Sequence, residues 1–206
     1  LIGNKLLSDG IGYGSSVYGK SLLSRMKRDI LGADGKNSTN VKYVVVKIGA
    51  EDIIHPVCKE IEGNKKYSDV RQPTAKEIIN GYKKFFGFCH DNGIKVIAAG
   101  ITQWKNTERD YFGTGVQYDR TAQEFEADWK IAKDVNKWLS TTAVSDGYSD
   151  GYINLPDISK NSSDPDAFPS NYTTDGINPT TALQRRWADK FPLKLIGVTN
   201  RADGVK

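Results

Sequence analysis

The chain has 206 residues with 38% hydrophobic and 10% aromatic content, enough for one folded domain with a sizeable core. Its 29 basic and 25 acidic residues are interspersed and leave a net charge of +4, so no basic patch for binding nucleic acid is expected. There is no run of 18 apolar residues, which excludes a membrane-spanning helix from the sequence.

Three segments are predicted as strands because they are rich in β-branched and apolar residues with little polar interruption. The first, KYVVVKIGAED, is expected to be buried on both faces and to end in a Gly-Ala-Glu-Asp loop. In open α/β sheets the carboxyl ends of the strands are where chemistry lies. The predicted segments are Lys42–Asp52 with its loop, Lys95–Ile101 and Gly151–Pro156.

Amphipathic segments between these strands are predicted as helices. Thr74 and Glu77 form a capping box at the start of one of them, and Asn92-Gly93 is a typical stop signal. The predicted helices begin near Ser21, span Thr74 to Asn92 and Thr121 to Leu139, and begin again at Pro179. This alternation predicts an α/β fold in which helices cover both faces of a parallel sheet.

Long loops follow the second and third predicted strands, at Thr102–Gly115 and Asp157–Gly176, and their length indicates a present or former function. Several aromatic side chains in these loops are candidates to stack on sugars at the cleft, with packing in the core or the loops as the alternative. They are Trp104, Tyr111, Phe112, Tyr118 and Tyr172.

Three short motifs, in this order, resemble blocks of the SGNH (GDSL) family of acyl-ester hydrolases. They correspond to the family's second block, its third block (Gly-x-Asn-Asp) and its fifth block (Asp-x-x-His-Pro). The matching segments are Gly3-Asn4, Gly49-Ala-Glu-Asp52 and Asp175-Gly-Ile-Asn-Pro179, and the resemblance covers about residues 3–191. It implies a three-layer α/β/α domain over residues 1–192, with a flavodoxin-like parallel sheet that lacks its first strands. Residues 193–206 would form a further strand or a tail.

The departures from the family fall on its catalytic atoms. The family's nucleophile is the serine of a Gly-Asp-Ser block, and this chain begins after the place where that block is expected. Asp175 is retained, but Asn178 holds the position of the histidine that acts as general base, and an amide does not accept a proton at neutral pH. Loss of a triad base costs on the order of 10⁴-fold or more. Glu51 replaces the asparagine that binds the oxyanion in the family. Its carboxylate would repel the negative charge of the oxyanion.

Several of these residues also have structural explanations. Asn178-Pro179 fits an N-cap followed by proline in the first helical position. His55 would be the substitute base, although a lone loop histidine is more often solvated, and His90 is expected to face outward without a function. Asp52 is expected to brace a loop through backbone amides. The alternative is an acid/base pair or hard-cation site formed with Glu51 and Asp175.

Ser15 and Ser16 lack the flanking glycine of a nucleophile elbow and are expected to be polar loop residues. The first hypothesis is therefore a non-catalytic SGNH-like domain with a structural or binding role, without a cofactor or metal. The second is a secreted hydrolase of carbohydrate or lipid esters whose serine lies upstream of Leu1 or on another chain. The third is a carbohydrate-binding module.

Without its first strands the sheet would have an open edge at Val44–Ile48, a geometry that promotes aggregation. We expect Leu193–Val198, a second copy of the chain or a separate N-terminal segment to cover it. The first residue is not methionine, which suggests a piece of a longer protein. Low cysteine content, with Cys58 and Cys89 as a disulfide or two thiols, and Asn-x-Ser/Thr patterns are compatible with a secreted or cell-surface protein.

Overall fold

The computed structural model of the chain describes residues 6–7, 21–37, 40–60, 71–105, 107 and 116–199. Within them, three parallel strands form one open sheet in the order β1-β3-β5. These strands are β1 Tyr43–Val46, β3 Lys95–Ala99 and β5 Gly151–Ile153. A separate antiparallel pair, which the sequence did not predict, joins β2 Lys59–Glu60 to β4 Val116–Gln117.

Helices connect these strands, which confirms the predicted α/β class. They are α1 Leu22–Leu31, α2 Ala50–Ile54, α3 Ala75–Asp91, α4 Ala122–Ser140, α5 Thr142–Ser145, α6 Leu155–Ser159 and α7 Thr181–Lys190. Two 3₁₀ helices span His55–Val57 and Leu193–Ile196. Among the helices within the described ranges, none is long and apolar enough to span a membrane.

The longer helices begin where local sequence signals predict. Thr74 and Glu77 form a reciprocal capping box at the start of α3, and Thr121 and Glu124 do the same for α4. At α1 the Ser21 hydroxyl accepts a hydrogen bond from the Ser24 amide at 3.3 Å. Each cap satisfies amides that the first helical turn leaves without a partner.

Strand alternation gives the sheet two apolar faces. Val96 and Ala98 of β3 belong to the larger cluster, together with residues of α1, α3 and α4. Ile97 and Ala99 belong to the smaller one, against which Trp187 of α7 packs. Helices therefore lie on both faces of the sheet, as a three-layer α/β/α architecture requires.

The C-terminal segment corrects one prediction. Leu193–Ile196 is a 3₁₀ helix, so a strand over Leu193–Val198 is wrong. Leu195 and Ile196 both pack on the smaller cluster, whereas consecutive residues of a strand would point to opposite faces. Leu195 also lies close to Gly151 of β5, so this helix does not cover β1, at the other side of the described sheet.

Candidate functional site

A cavity of about 640 Å³ lies where the chain leaves the carboxyl ends of β1, β3 and β5. Its apolar lining includes Val45, Ile48, Ile101, Ile153, Leu155 and Phe191. Its polar lining includes Lys47, Glu51, Thr102, Asn178 and Gln184. The segments that resemble the third and fifth family blocks are thus brought together at one site, as the sequence order implied.

Gly49 makes the turn from β1 into α2. Its φ of 108° is left-handed, and an added Cβ would lie 3.0 Å from Cδ1 of Ile101. Glycine avoids both the backbone strain and the close contact. The turn starts α2 at Ala50, where the sequence predicted only a loop, and places the side chains of Glu51 and Asp52 in different surroundings.

Asp52 faces away from the cavity and is only 3% exposed. Its two carboxylate oxygens accept hydrogen bonds from the amides of Leu6, at 2.6 Å, and Leu7, at 2.9 Å. This confirms the predicted bracing of a loop through backbone amides. The side chain holds Leu6 and Leu7 against the larger apolar cluster, of which Leu6 is a member.

Glu51 lines the cavity and pairs with His55, one helical turn later. His55 is 3% exposed, so the interpretation of a solvated loop histidine is wrong. The physical reason is that α2 continues into the 3₁₀ helix and places the imidazole Nε2 against the Glu51 carboxylate. The residue that faces the cavity is Glu51, and His55 lies behind it as its partner.

Asn178 is hydrogen-bonded to Asp175 and does not cap a helix. Its Nδ2 donates to one oxygen of the Asp175 carboxylate, and its backbone amide donates to the other at 2.7 Å. The N-cap of α7 is Thr180, so the capping interpretation of Asn178-Pro179 is wrong. Thr180 also has a cap-forming side chain and lies two residues further on.

Hydrogen bonds control the ionisation of Asp175. Burial raises its pKa, but the amides of Asn178 and Ile177 and the side chains of Asn178 and Thr173 outweigh burial and hold the pKa below its ordinary value. Asp175 is thus a carboxylate at neutral pH and fixes the orientation of the Asn178 amide, which lines the cavity.

Lys47 is a site residue that sequence reasoning missed. Its Nζ lies 5.6 Å from the centroid of the Trp187 ring, inside the lining of the cavity. Burial lowers the pKa of this ammonium, and the charge of Glu51 acts in the opposite direction. Because the side chain is only half-buried, the shift is expected to be smaller than full burial would give.

The predicted aromatic side chains that the structure describes do not line the cavity. Trp104 is 0% exposed and donates a hydrogen bond to the Tyr118 hydroxyl at 2.9 Å, so its proposed sugar-stacking role is wrong. Tyr118 is buried as well. Tyr172 is half-buried beside Arg186 and does not belong to the cavity lining. The described lining of the cavity has two other aromatic side chains, Trp187 and Phe191.

Several predicted residues lie outside the described part of the chain: Gly3, Asn4, Ser15, Ser16, Tyr111 and Phe112. The other sequence candidates have ordinary contacts. His90 lies 2.9 Å from Asp150 near the surface. Cys58 and Cys89 are not bonded to each other, and burial raises the pKa of the Cys89 thiol to about 12.

The three carboxylates considered for a cation do not form one site. Asp52 accepts two backbone amides, Glu51 pairs with His55, and Asp175 accepts from the Asn178 side chain and from three further donors. Within the described ranges, no group of three or more His, Cys, Asp or Glu side chains could hold a metal ion. What the cavity offers is an apolar surface with a few fixed polar groups.

Comparisons with known proteins agree with this fold. A scan of protein-family models and a search of curated proteins each found no match. A provisionally assigned acylhydrolase from Bacteroides fragilis NCTC 9343 superposes with a TM-score of 0.57 at 15% identity, over 84% of this chain and 67% of that one. A GDSL-like lipase from Bacteroides thetaiotaomicron VPI-5482 gives a TM-score of 0.56 at 13% identity, over 84% and 68%.

The architecture, the convergence of the two blocks and these likenesses define the class: the chain has an SGNH (GDSL) hydrolase fold. At such low identity the likeness concerns the fold alone. A fold hosts many functions, so the function has to be argued from the site.

Proposed function

We propose that this chain is a non-catalytic SGNH-type domain that binds a small ligand in the cavity at the strand ends. The observation that carries the proposal is the pairing of Asn178 with Asp175. In the hydrolases that the sequence resembles, a histidine at this position takes the proton from the nucleophile. Here an amide holds the position and donates its hydrogen bond to the carboxylate.

The Asp175–Asn178 pair keeps the hydrogen bond by which the family's aspartate orients its histidine. It loses the proton transfer that the histidine performs. The carboxylate fixes Asn178 through both the side-chain and the backbone nitrogen. The remaining amide oxygen can accept a hydrogen bond, but it cannot act as a base at neutral pH. A side chain held in this way can position a polar group of a ligand.

Glu51 supports the same conclusion. It lines the cavity where an oxyanion hole would need a hydrogen-bond donor, and a carboxylate there opposes the negative charge that develops during ester hydrolysis. In the part of the chain that the structure describes, the cavity lining contains neither serine nor histidine. The family's serine nucleophile, histidine base and third-block asparagine are therefore all missing from that lining.

The cavity nevertheless has the properties of a binding site. Its volume of about 640 Å³ lies within the range of roughly 300–1,000 Å³ typical of small-molecule pockets. Its surface is mostly apolar, with polar groups at a few fixed positions. This combination suits a ligand that is bound and released unchanged.

The test is hydrolysis of p-nitrophenyl acetate by this chain alone and by a version extended with its upstream coding segment. We expect neither to exceed the background rate. Turnover that a serine-reactive fluorophosphonate abolishes would overturn the proposal and favour a secreted ester hydrolase with its serine upstream. Asn178→Ala should leave the background rate unchanged, and a loss of rate would place Asn178 in a reaction.

A further inference from the structure

Lys47 indicates the kind of ligand that the cavity accepts. In β1, Val44 and Val46 are buried in the larger cluster, so residues 45 and 47 face the opposite side. There the ammonium of Lys47 lies 5.6 Å from the centroid of the Trp187 ring. The ring face attracts the cation, but it does not neutralise its charge.

No carboxylate of the described residues forms an ion pair with Lys47. Lys47 and Glu51 are the two ionisable side chains in the described lining of the cavity, and Glu51 pairs with His55 instead. Trp187 and Phe191, which α7 and the residue after it contribute to the lining, carry no charge. A half-buried cation therefore faces the cavity with no ion pair to a carboxylate of the described residues, and the charge of Glu51 acts on it only from beyond ion-pair distance.

The apolar part of the lining indicates which chemical groups the rest of the ligand carries. Ile153, Leu155 and Phe191 offer hydrocarbon surface, and burying apolar ligand atoms against it is favourable. A phosphate dianion would bring two negative charges to one lysine beside the Glu51 carboxylate. A carboxylate monoanion matches the single available cation.

We propose that the cavity binds a monocarboxylate with an apolar tail, with its carboxylate paired to Lys47 and its tail against Ile153, Leu155 and Phe191. The inference deepens the proposed function and depends on it. Such a ligand neutralises the lysine and covers the apolar lining in one step. Asn178 and Thr102 contribute to the same lining.

Two ligands of equal length separate the charge from the tail. Octanoate and octanamide are titrated calorimetrically into the full chain. We expect octanoate to bind about tenfold or more tightly than octanamide, because a charged hydrogen bond replaces a neutral one. Each methylene added between hexanoate and octanoate should tighten binding about 4-fold.

Two lysine variants test whether the preference for octanoate over octanamide depends on Lys47. Lys47→Met keeps the apolar stem without the charge and should remove the preference for octanoate over octanamide. Lys42→Met makes the same change at an exposed position just before β1 and should keep the preference. Circular dichroism verifies the fold of both variants.

The outcomes are separable from those of the proposed function. Equal binding of octanoate and octanamide by the wild type, absence of octanoate binding, or an unchanged preference in Lys47→Met would overturn the inference. If Lys47→Met does not fold, the wild-type comparison and the chain-length series decide. Hydrolysis of p-nitrophenyl octanoate would overturn the proposed function, whereas absence of both turnover and octanoate binding overturns this inference alone.

Discussion

Two polar regions of this molecule differ in whether their charged groups are paired within the protein. The first is the Trp104 cluster, which consists of Trp104, Tyr118, Arg120, Phe125, Asp128 and Trp129. In it Trp104 donates to Tyr118, Tyr118 donates to Asp128, and Arg120 donates to both Asp128 oxygens. The second is the cavity, where Lys47 forms no ion pair with a carboxylate of the described residues, although the charge of Glu51 acts on it.

The difference separates residues that maintain the structure from residues that are available to a ligand. A buried polar group costs stability unless a hydrogen bond compensates it, and the Trp104 cluster satisfies this rule within the protein. At the cavity, the ammonium of Lys47 can obtain its hydrogen-bond partner from solvent or from a ligand. Changes in the cluster should therefore affect folding, and changes at the cavity should affect binding.

The largest effect is expected for Trp104→Ala. The ring is fully buried and stands edge-on to Trp129 at a centroid distance of 5.0 Å. Its loss should lower the free energy of unfolding by about 3–5 kcal/mol, measured by urea denaturation. Trp187→Ala is the matched control at the half-buried cavity wall and should cost less than half as much. Equal losses would contradict the distinction between the two regions.

Asp128→Ala should have the next largest effect. The side chain is 1% exposed and accepts from Tyr118, Arg120 and Gln72. Its removal leaves Tyr118 without this acceptor and Arg120 with only the exposed Glu124 as ion-pair partner among the described residues. We expect a loss of about 3 kcal/mol in the free energy of unfolding. Asp134→Ala, on the same helix in an exposed pair with Lys130, should change little. A small loss for Asp128→Ala would mean that the network does not stabilise the fold.

Asp175→Asn should have a smaller effect that depends on pH. Because hydrogen bonds hold the folded-state pKa of Asp175 below its ordinary value, its stabilising contribution is fully present above that ordinary value and is lost as the pH falls through the folded-state pKa. The variant should lose about 1 kcal/mol at neutral pH, and the loss should shrink in acid. Thermal unfolding from pH 7 to pH 2 measures it, and a loss independent of pH would contradict the hydrogen-bond account.

The smallest change in folding is expected for Lys47→Met. Removing this half-buried charge should leave the free energy of unfolding within about 1 kcal/mol of wild type, because relief of its burial and loss of its attraction to Glu51 act in opposite directions. The measurement is urea denaturation without ligand. A clear destabilisation would show that the Lys47 charge maintains the fold, which would move it into the same class as Asp128.

The sequence predicted the parts of the fold that depend on neighbouring residues. The capping box at Thr74 predicted the start of α3, and the apolar runs identified β1, β3 and β5. The β2–β4 pair was missed because it joins segments distant in the chain and its strands have only two residues each. The helix α2 was missed because Gly49 was interpreted as the start of a loop.

The site was predicted only in part, because some of its features depend on contacts between residues distant in the chain. Block order indicated that Gly49, Glu51 and Asn178 would meet, and they do. Trp104 was a candidate for the cleft with packing in the core as the alternative, and the structure shows packing in the core. The sequence did not decide between them because burial of a loop aromatic depends on distant packing partners such as Trp129. Lys47 was passed over as part of an apolar strand. Its charge in an otherwise apolar run, on the same strand face as Val45, was the available signal.

The most direct test of the central claim is the intact mass of the folded protein after exposure to a fluorophosphonate, with denatured protein as the baseline. Without a proton acceptor at Asn178, no serine at the cavity should be activated, and the mass should not change beyond that baseline. A single phosphonyl adduct that forms only in the folded protein, on one serine, would contradict the account.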